Sequence, residues 1–137
     1  MLAVNDMFVM AKSRVASLFI EDVEEFLRTH QVRYFPRIKV TGKTGYDHAF
    51  NFLIPPSERR PARVVQAFNA PQKDWVTAYI FAVTDVRNAR DEHLDAYAFL
   101  NDSDRTVGGD VGDALKEYDI KPAPWSRRDD FVEELAA

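Results

Sequence analysis

The sequence has no cysteine. Disulfides, thiolate metal sites and cysteine nucleophiles are therefore excluded together, and a cytosolic setting is the simplest reading. Glycine and proline are sparse, at 5 and 7 residues in 137, so the chain is neither collagenous nor linker-like. No apolar run approaches the ~20 residues that cross a bilayer, and no membrane association is expected. The opening MLAVNDMFVMAK has no basic region ahead of its apolar residues, and Asp6 interrupts them. It reads as a poor signal peptide. The three histidines, His30, His48 and His93, are dispersed and make a weak zinc ligand set without cysteine. No metal or cofactor is expected. There is no GxSxG nucleophile elbow. Positive charge is also short: 18 Lys and Arg face 22 Asp and Glu, for a net charge of −4. That balance argues against strong non-specific nucleic-acid binding, which depends on neutralising phosphates.

Core material is plentiful, with 46% hydrophobic residues and ten Phe. The length fits one α/β domain over residues 1–137, with 1–30 as an N-terminal helical segment. Asn5 to Thr29 carries Met7, Met10, Ala11, Val15, Leu18 and Phe19, then Val23, Phe26 and Leu27, at helical spacing. Glu21 and Asp22 would suit a fresh helix start, so a break near Phe19–Asp22 is open. Val32 to Thr41 and Tyr46 to Ile54 alternate as two strands of a hairpin. The second should hold Tyr46, His48, Phe50, Phe52 and Ile54 on one face. Pro36 delays the first strand or puts it at an edge. Gly42-Lys43-Thr44-Gly45 reads as the turn between them. The GKT triplet lacks the earlier glycine and the following helix of a phosphate loop, since position 37 is Arg.

Arg63 to Asn69 is nearly continuously apolar and predicts a central strand. Trp75 to Asn88 predicts a helix buried on two sides and capped by Asp74. Asp95 to Leu100 predicts a fourth strand. SDRTVGGDVG reads as a mobile loop before a short helix over Asp113–Tyr118. Ile120 to Trp125 reads as extended, held by Pro122 and Pro124. Ser126 and Asp129 read as the capping box of a last helix. The fold class is α/β (α+β), a four-stranded mixed sheet with packed helices.

LFIEDVEEFLRTH, GKTGYDHAFNFLIPPSERRP, the Asn69-Ala70-Pro71 stop, FAVTDVRNAR, AYAFLND and PAPWSRRDDFVEELA together resemble a bacterial and phage family catalogued as domain of unknown function eighteen-twenty-nine. The resemblance runs over roughly Leu18 to Ala137 and implies no established activity. It implies Asp where this chain has Asn51, and a partner domain on the N-terminal side in relatives.

The element order resembles a restriction-endonuclease-like core. Such nucleases set an Asp on one strand and Glu/Asp-x-Lys on the next, whose acids hold a divalent ion. Here those positions are Asn51 and Gln66-Ala67-Phe68. A nuclease would have to use Asp47, Gln66 and Asp85. The small acidic domain, the degenerate site and the companion domain that the resemblance implies together point to the expected function, a non-catalytic protein-interaction module encoded by a phage or mobile element that inhibits a host defence complex by binding it. The alternatives are a degenerate metal-dependent nuclease and a nucleic-acid-binding domain. Candidate contact residues are Arg59, Arg60, Arg63, Trp75, Arg87, Trp125, Arg127 and Arg128, since Trp and Arg dominate interface hot spots. Asp85, Arg87 and Arg90 read first as a buried ion-pair lattice against the sheet and second as the floor of an anion or partner site, and each Trp reads first as core. A host protein or ribonucleoprotein complex is the favoured partner over direct nucleic-acid binding, and a homodimer is left open.

Overall fold

Among the described residues five strands form one mixed sheet in the order β1-β2-β3-β4-β5, where the sequence predicted four. The computed structural model describes residues 4–137, with side chains from Arg14 onward. The Met7, Met10 and Ala11 part of the first apolar stripe lies outside the described side chains. The elements are α1 (Val4–Thr29), β1 (Phe35–Thr41), β2 (Asp47–Ile54), β3 (Ala62–Phe68), α2 (Lys73–Asn88), β4 (Leu94–Leu100), α3 (Gly109–Glu117), β5 (Lys121–Pro124), a 3-10 segment (Trp125–Phe131) and α4 (Val132–Ala136). β2 runs antiparallel to β1 and β3, while β3, β4 and β5 are mutually parallel.

The fifth strand was hidden by its prolines. Pro122 and Pro124 lack N–H groups, so KPAP reads as a polyproline segment. At a sheet edge the loss is tolerated, and Lys121 and Ala123 keep the N–H groups a ladder needs. β5 pairs Tyr97 with Lys121 and Leu100 with Pro124.

Each face of the sheet carries its own apolar cluster. On one side Val76, Tyr79, Val83 and Val86 of α2, with Val111 and Leu115 of α3, pack on Phe50, Val64, Ala96 and Leu100. On the other, Phe19, Val23, Phe26 and Leu27 of α1 join Leu135 of α4 over Phe52, Ile54, Val65, Tyr97 and Phe99. β3 and β4 are sandwiched between these layers, which explains their near-continuous apolar sequence.

Several local expectations are corrected. α1 runs unbroken through Phe19–Asp22, because Glu21 and Asp22 are exposed and disrupt no contact. Its end is a left-handed Gln31 (φ 57°) with the Val32 N–H donating to the Leu27 carbonyl at 2.9 Å, the geometry usually given to glycine. α2 begins at Lys73, and neither Asp74 nor any other side chain caps it. It buries Val76, Tyr79, Ala82, Val83 and Val86 but leaves Trp75 52% and Phe81 47% exposed. An apolar helix with two candidate stripes does not reveal its own phase. α3 starts at Gly109 rather than Asp113, because burying Val111 and Leu115 outweighs the weak helix propensity of glycine. Ser126 caps no helix: its backbone N–H and hydroxyl donate to Asp102, at 2.9 and 2.6 Å.

The alternation predicted for β2 also fails at one residue. Phe50 packs with α2, whereas Phe52 and Ile54 pack with α1. Strict period-two spacing would keep them together. The reversal falls at Asn51.

Candidate functional site

Asn51 sits where three strands come out of step. Pairing of Pro36 with Phe52 and Ile38 with Phe50 sets Arg37 opposite Asn51. Pairing of Phe52 with Val65 sets Asn51 opposite Gln66. Arg37 has φ 50° inside a strand, a left-handed conformation that costs a non-glycine residue roughly 1–2 kcal/mol. The β2–β3 ladder runs only over Phe52–Ile54, and β2 is unpaired with β3 above it.

Side chains close the gap at that point. The Asn51 backbone N–H donates to Gln66 Oε1 at 2.9 Å, and the Ala67 N–H donates to Asn51 Oδ1 at 2.8 Å. The two amides thus replace ladder bonds. Both side chains are half-buried. Phe68, two residues after Gln66, is in the core against the Tyr79 ring at 5.6 Å. Among the described residues no group of three His, Asp or Glu could hold a metal ion.

Asp47 and Asp85 serve the β1–β2 turn instead. Asp47 accepts the Thr41 hydroxyl at 2.6 Å and is exposed. Asp85, on α2, is 4% exposed. It accepts the Thr44 N–H at 3.0 Å and the Thr44 hydroxyl at 2.6 Å, and lies 2.8 Å from His48 Nε2. His48 also packs edge-on against Phe81. The hairpin tip is therefore clamped to α2 by one carboxylate. Asp47, Gln66 and Asp85 each have separate partners, so the structure does not gather them at one centre.

The Thr44 hydroxyl, then His48, holds the Asp85 carboxyl below the usual carboxylate range, against the upward push of burial. The Ser126 hydroxyl does the same for Asp102. A carboxyl lowered in the fold contributes stability above its unfolded pKa and loses it as pH falls through the folded value. Stability should thus fall steadily as pH drops below about 4. Asp85→Asn should flatten that acid limb, measured as urea midpoints against pH; an unchanged limb would mean the clamp is not charge-dependent.

The candidate contact residues divide sharply. Arg63 is 1% exposed. It donates to the carbonyls of Glu134 (2.9 Å) and Pro55 (3.0 Å), and at 3.4 Å to those of Leu135 and Ala137. It lines a cavity of about 430 Å³ together with Arg33 and Glu58, but its Nη1 and Nη2 donate to carbonyls of the chain itself. Arg59 is exposed and Arg60 half-buried, so the three do not form one surface cluster. Arg87 donates to the carbonyls of Leu94, Tyr118 and Asp119 at 2.8–2.9 Å. It ties α2 to the end of α3 and is no part of an ion-pair lattice with Asp85. Trp125 is packed against Phe19, Phe26 and Phe99, and Arg128 stacks on its ring at 4.5 Å. Arg127 pairs with Asp130 at 3.0 Å on the surface. Trp75 alone of the two tryptophans is presented to solvent, so the core role open to it in the sequence does not apply.

Sequence reasoning passed over Arg33, Arg37, Lys39 and Lys43. All four are exposed, and none makes an ion pair or side-chain hydrogen bond among the described residues. The available signal was an absence: no Asp or Glu occurs between Glu25 and Asp47.

The family described as Domain of unknown function DUF1829 matches residues 42–128, well over half of the chain. The chain belongs to that family. The matched span is narrower than the Leu18–Ala137 stretch that carried the resemblance, and it takes in β2, β3, α2 and β4 with both amides. A search of curated proteins finds no match. No helix among the described residues is long and apolar enough to cross a membrane.

Proposed function

We propose that this family member is a non-catalytic binding module built on a degenerate restriction-endonuclease-like core. The observation that carries the reading is the Asn51–Gln66 pair. The two positions that would supply carboxylates to a divalent ion hold neutral amides, and the oxygen of each is occupied by a backbone N–H. Hard cations need charged or free oxygen ligands. The third position, Phe68, is committed to the core and cannot orient a water as a lysine would. The order of a hairpin, a third strand, a helix and a fourth strand supports the kinship of the core.

On this reading the protein acts by stoichiometric binding to a host protein or ribonucleoprotein complex. A defence complex blocked by a phage- or mobile-element-encoded protein is the case it fits. The exposed Trp75 and Phe81 on α2 are the kind of aromatic anchors such contacts use. The purified chain should leave plasmid, single-stranded DNA and RNA uncut in Mg²⁺ or Mn²⁺. Cleavage that Asp47→Ala abolishes would overturn the reading and make this a nuclease with an unusual ligand set.

A further inference from the structure

We propose that the Arg37–Asn51–Gln66 row, with the basic edge beside it, binds the phosphodiester backbone of a nucleic acid. The inference rests on the non-catalytic reading above and gives the Asn51–Gln66 pair that carries it a ligand, apart from the aromatic contacts on α2.

The argument begins with amide orientation. The partners of Asn51 Oδ1 and Gln66 Oε1 are both backbone N–H donors, so the oxygens must face them. The two NH₂ groups then point away; neither donates a hydrogen bond among the described residues, and neither is one of the buried polar atoms left without a partner. Aspartate and glutamate would accept the same two bonds equally well. What the amides add is four free N–H donors and no negative charge. A site so equipped repels no anion and offers nothing to a cation.

Arg37 belongs to the same cross-strand row and holds a left-handed conformation within β1. Such strain persists where surrounding structure enforces it, and it concentrates at ligand sites. Arg33, Arg37, Lys39 and Lys43 then give β1 and its flanks four exposed, unpaired cations in a chain of net charge −4. Lys39 faces only Ala49 across the hairpin. The nearest acid in the register is Asp47, opposite Thr41 and bonded to its hydroxyl. Guanidinium, ammonium and amide donors together suit the oxygens of a phosphodiester, and cations supply most of such affinity. Basic residues on an edge strand also guard against strand pairing; that role requires neither the amides nor the strain at Arg37.

The test is fluorescence anisotropy of the full chain with labelled duplex DNA, single-stranded DNA and RNA, with EDTA present, at about 50 and about 200 mM salt. Metal-independent binding is expected, with log K falling against log salt at a slope of about −3 to −4 for duplex and about −2 to −3 for single strands. The three ligands identify which nucleic acid is preferred. Arg37→Gln should weaken binding about tenfold, and Lys39→Gln should lower the slope by about 0.9 on duplex. The Asn51→Asp/Gln66→Glu double variant keeps both oxygen acceptors. It should melt as the parent does yet lose at least about tenfold in affinity. If the double variant unfolds, the two surface variants decide alone. Absence of salt-dependent binding, or surface variants that bind as the parent does, would reduce the row to a structural repair and the basic edge to a guard. Cleavage of the same oligonucleotides in Mg²⁺ would instead overturn the non-catalytic reading, so the two failures are distinguishable.

Discussion

Replacing Arg63 with Met is expected to cost about 3 kcal/mol, since hydrogen bonds to a charged donor contribute roughly 1.5–3 kcal/mol each and their loss strands buried carbonyls. For a chain of this length that is a fall in melting temperature of about 10 °C. Arg63 heads the fully buried side chains by size among the described residues. One guanidinium joins the end of β2, through Pro55, to the last turn of α4, through Glu134. Burial lowers the Arg63 pKa from its ordinary value, yet an arginine so lowered remains charged at neutral pH. Its Nε has no partner among the described residues, so the site already carries one unmet donor. Arg63→Lys should fall in between, because a point charge cannot serve both sets of carbonyls. Arg59→Ala should change stability by less than about 0.5 kcal/mol, as surface changes do. Urea midpoints would check all three; an Arg63→Met variant as stable as the parent would show that the last helix is held by Leu135 packing alone.

Gly42→Ala is expected to destabilise by about 2 kcal/mol, within the range for forcing extra volume into a packed site. A Cβ there would fall on the Asp85 carboxylate. That carboxylate cannot step aside, because Thr44 and His48 hold it. The Lys43 N–H also donates to the Asp85 backbone carbonyl at 3.1 Å. The hairpin tip must therefore lift from α2 or the clamp must break. Either outcome should flatten the acid limb of stability as Asp85→Asn does, and the two substitutions together should cost less than their sum. Full additivity in a double-mutant cycle would separate the glycine from the clamp. Gly45 is a contrasting case: nothing lies near its Cβ position, and its φ of 89° alone penalises a side chain.

The sequence carried the hairpin, the central strand and the two long helices because each has strong local periodicity. Asp47–Ile54 alternates, Ala62–Phe68 is nearly all apolar, and Val23, Phe26 and Leu27 recur at helical spacing. β5 was not legible, since two prolines in four residues erase the strand signal and only the β4 edge restores it. The phase of α2 was ambiguous for a different reason. Its apolar residues surround most of the helix, and which stripe is buried depends on where the sheet lies. Hence Trp75, read first as core and second as a contact, emerged in solvent, while Trp125 entered the core.

The site divides in the same way. Sequence alone identified neutral amides at positions 51 and 66, and with them the loss of metal-binding charge. It could not reveal that the amides bond to backbone across a broken ladder, because that depends on a register between residues fifteen or more apart. Nor could composition distinguish Arg63 from Arg59, four positions away in one basic run. Local sequence determines which conformations are cheap, through periodicity, turn residues and charge. Which side chain is buried, and which donor is left free, is settled only when distant segments compete for the same space, and here that competition made Arg63 a tie and left Arg37 exposed.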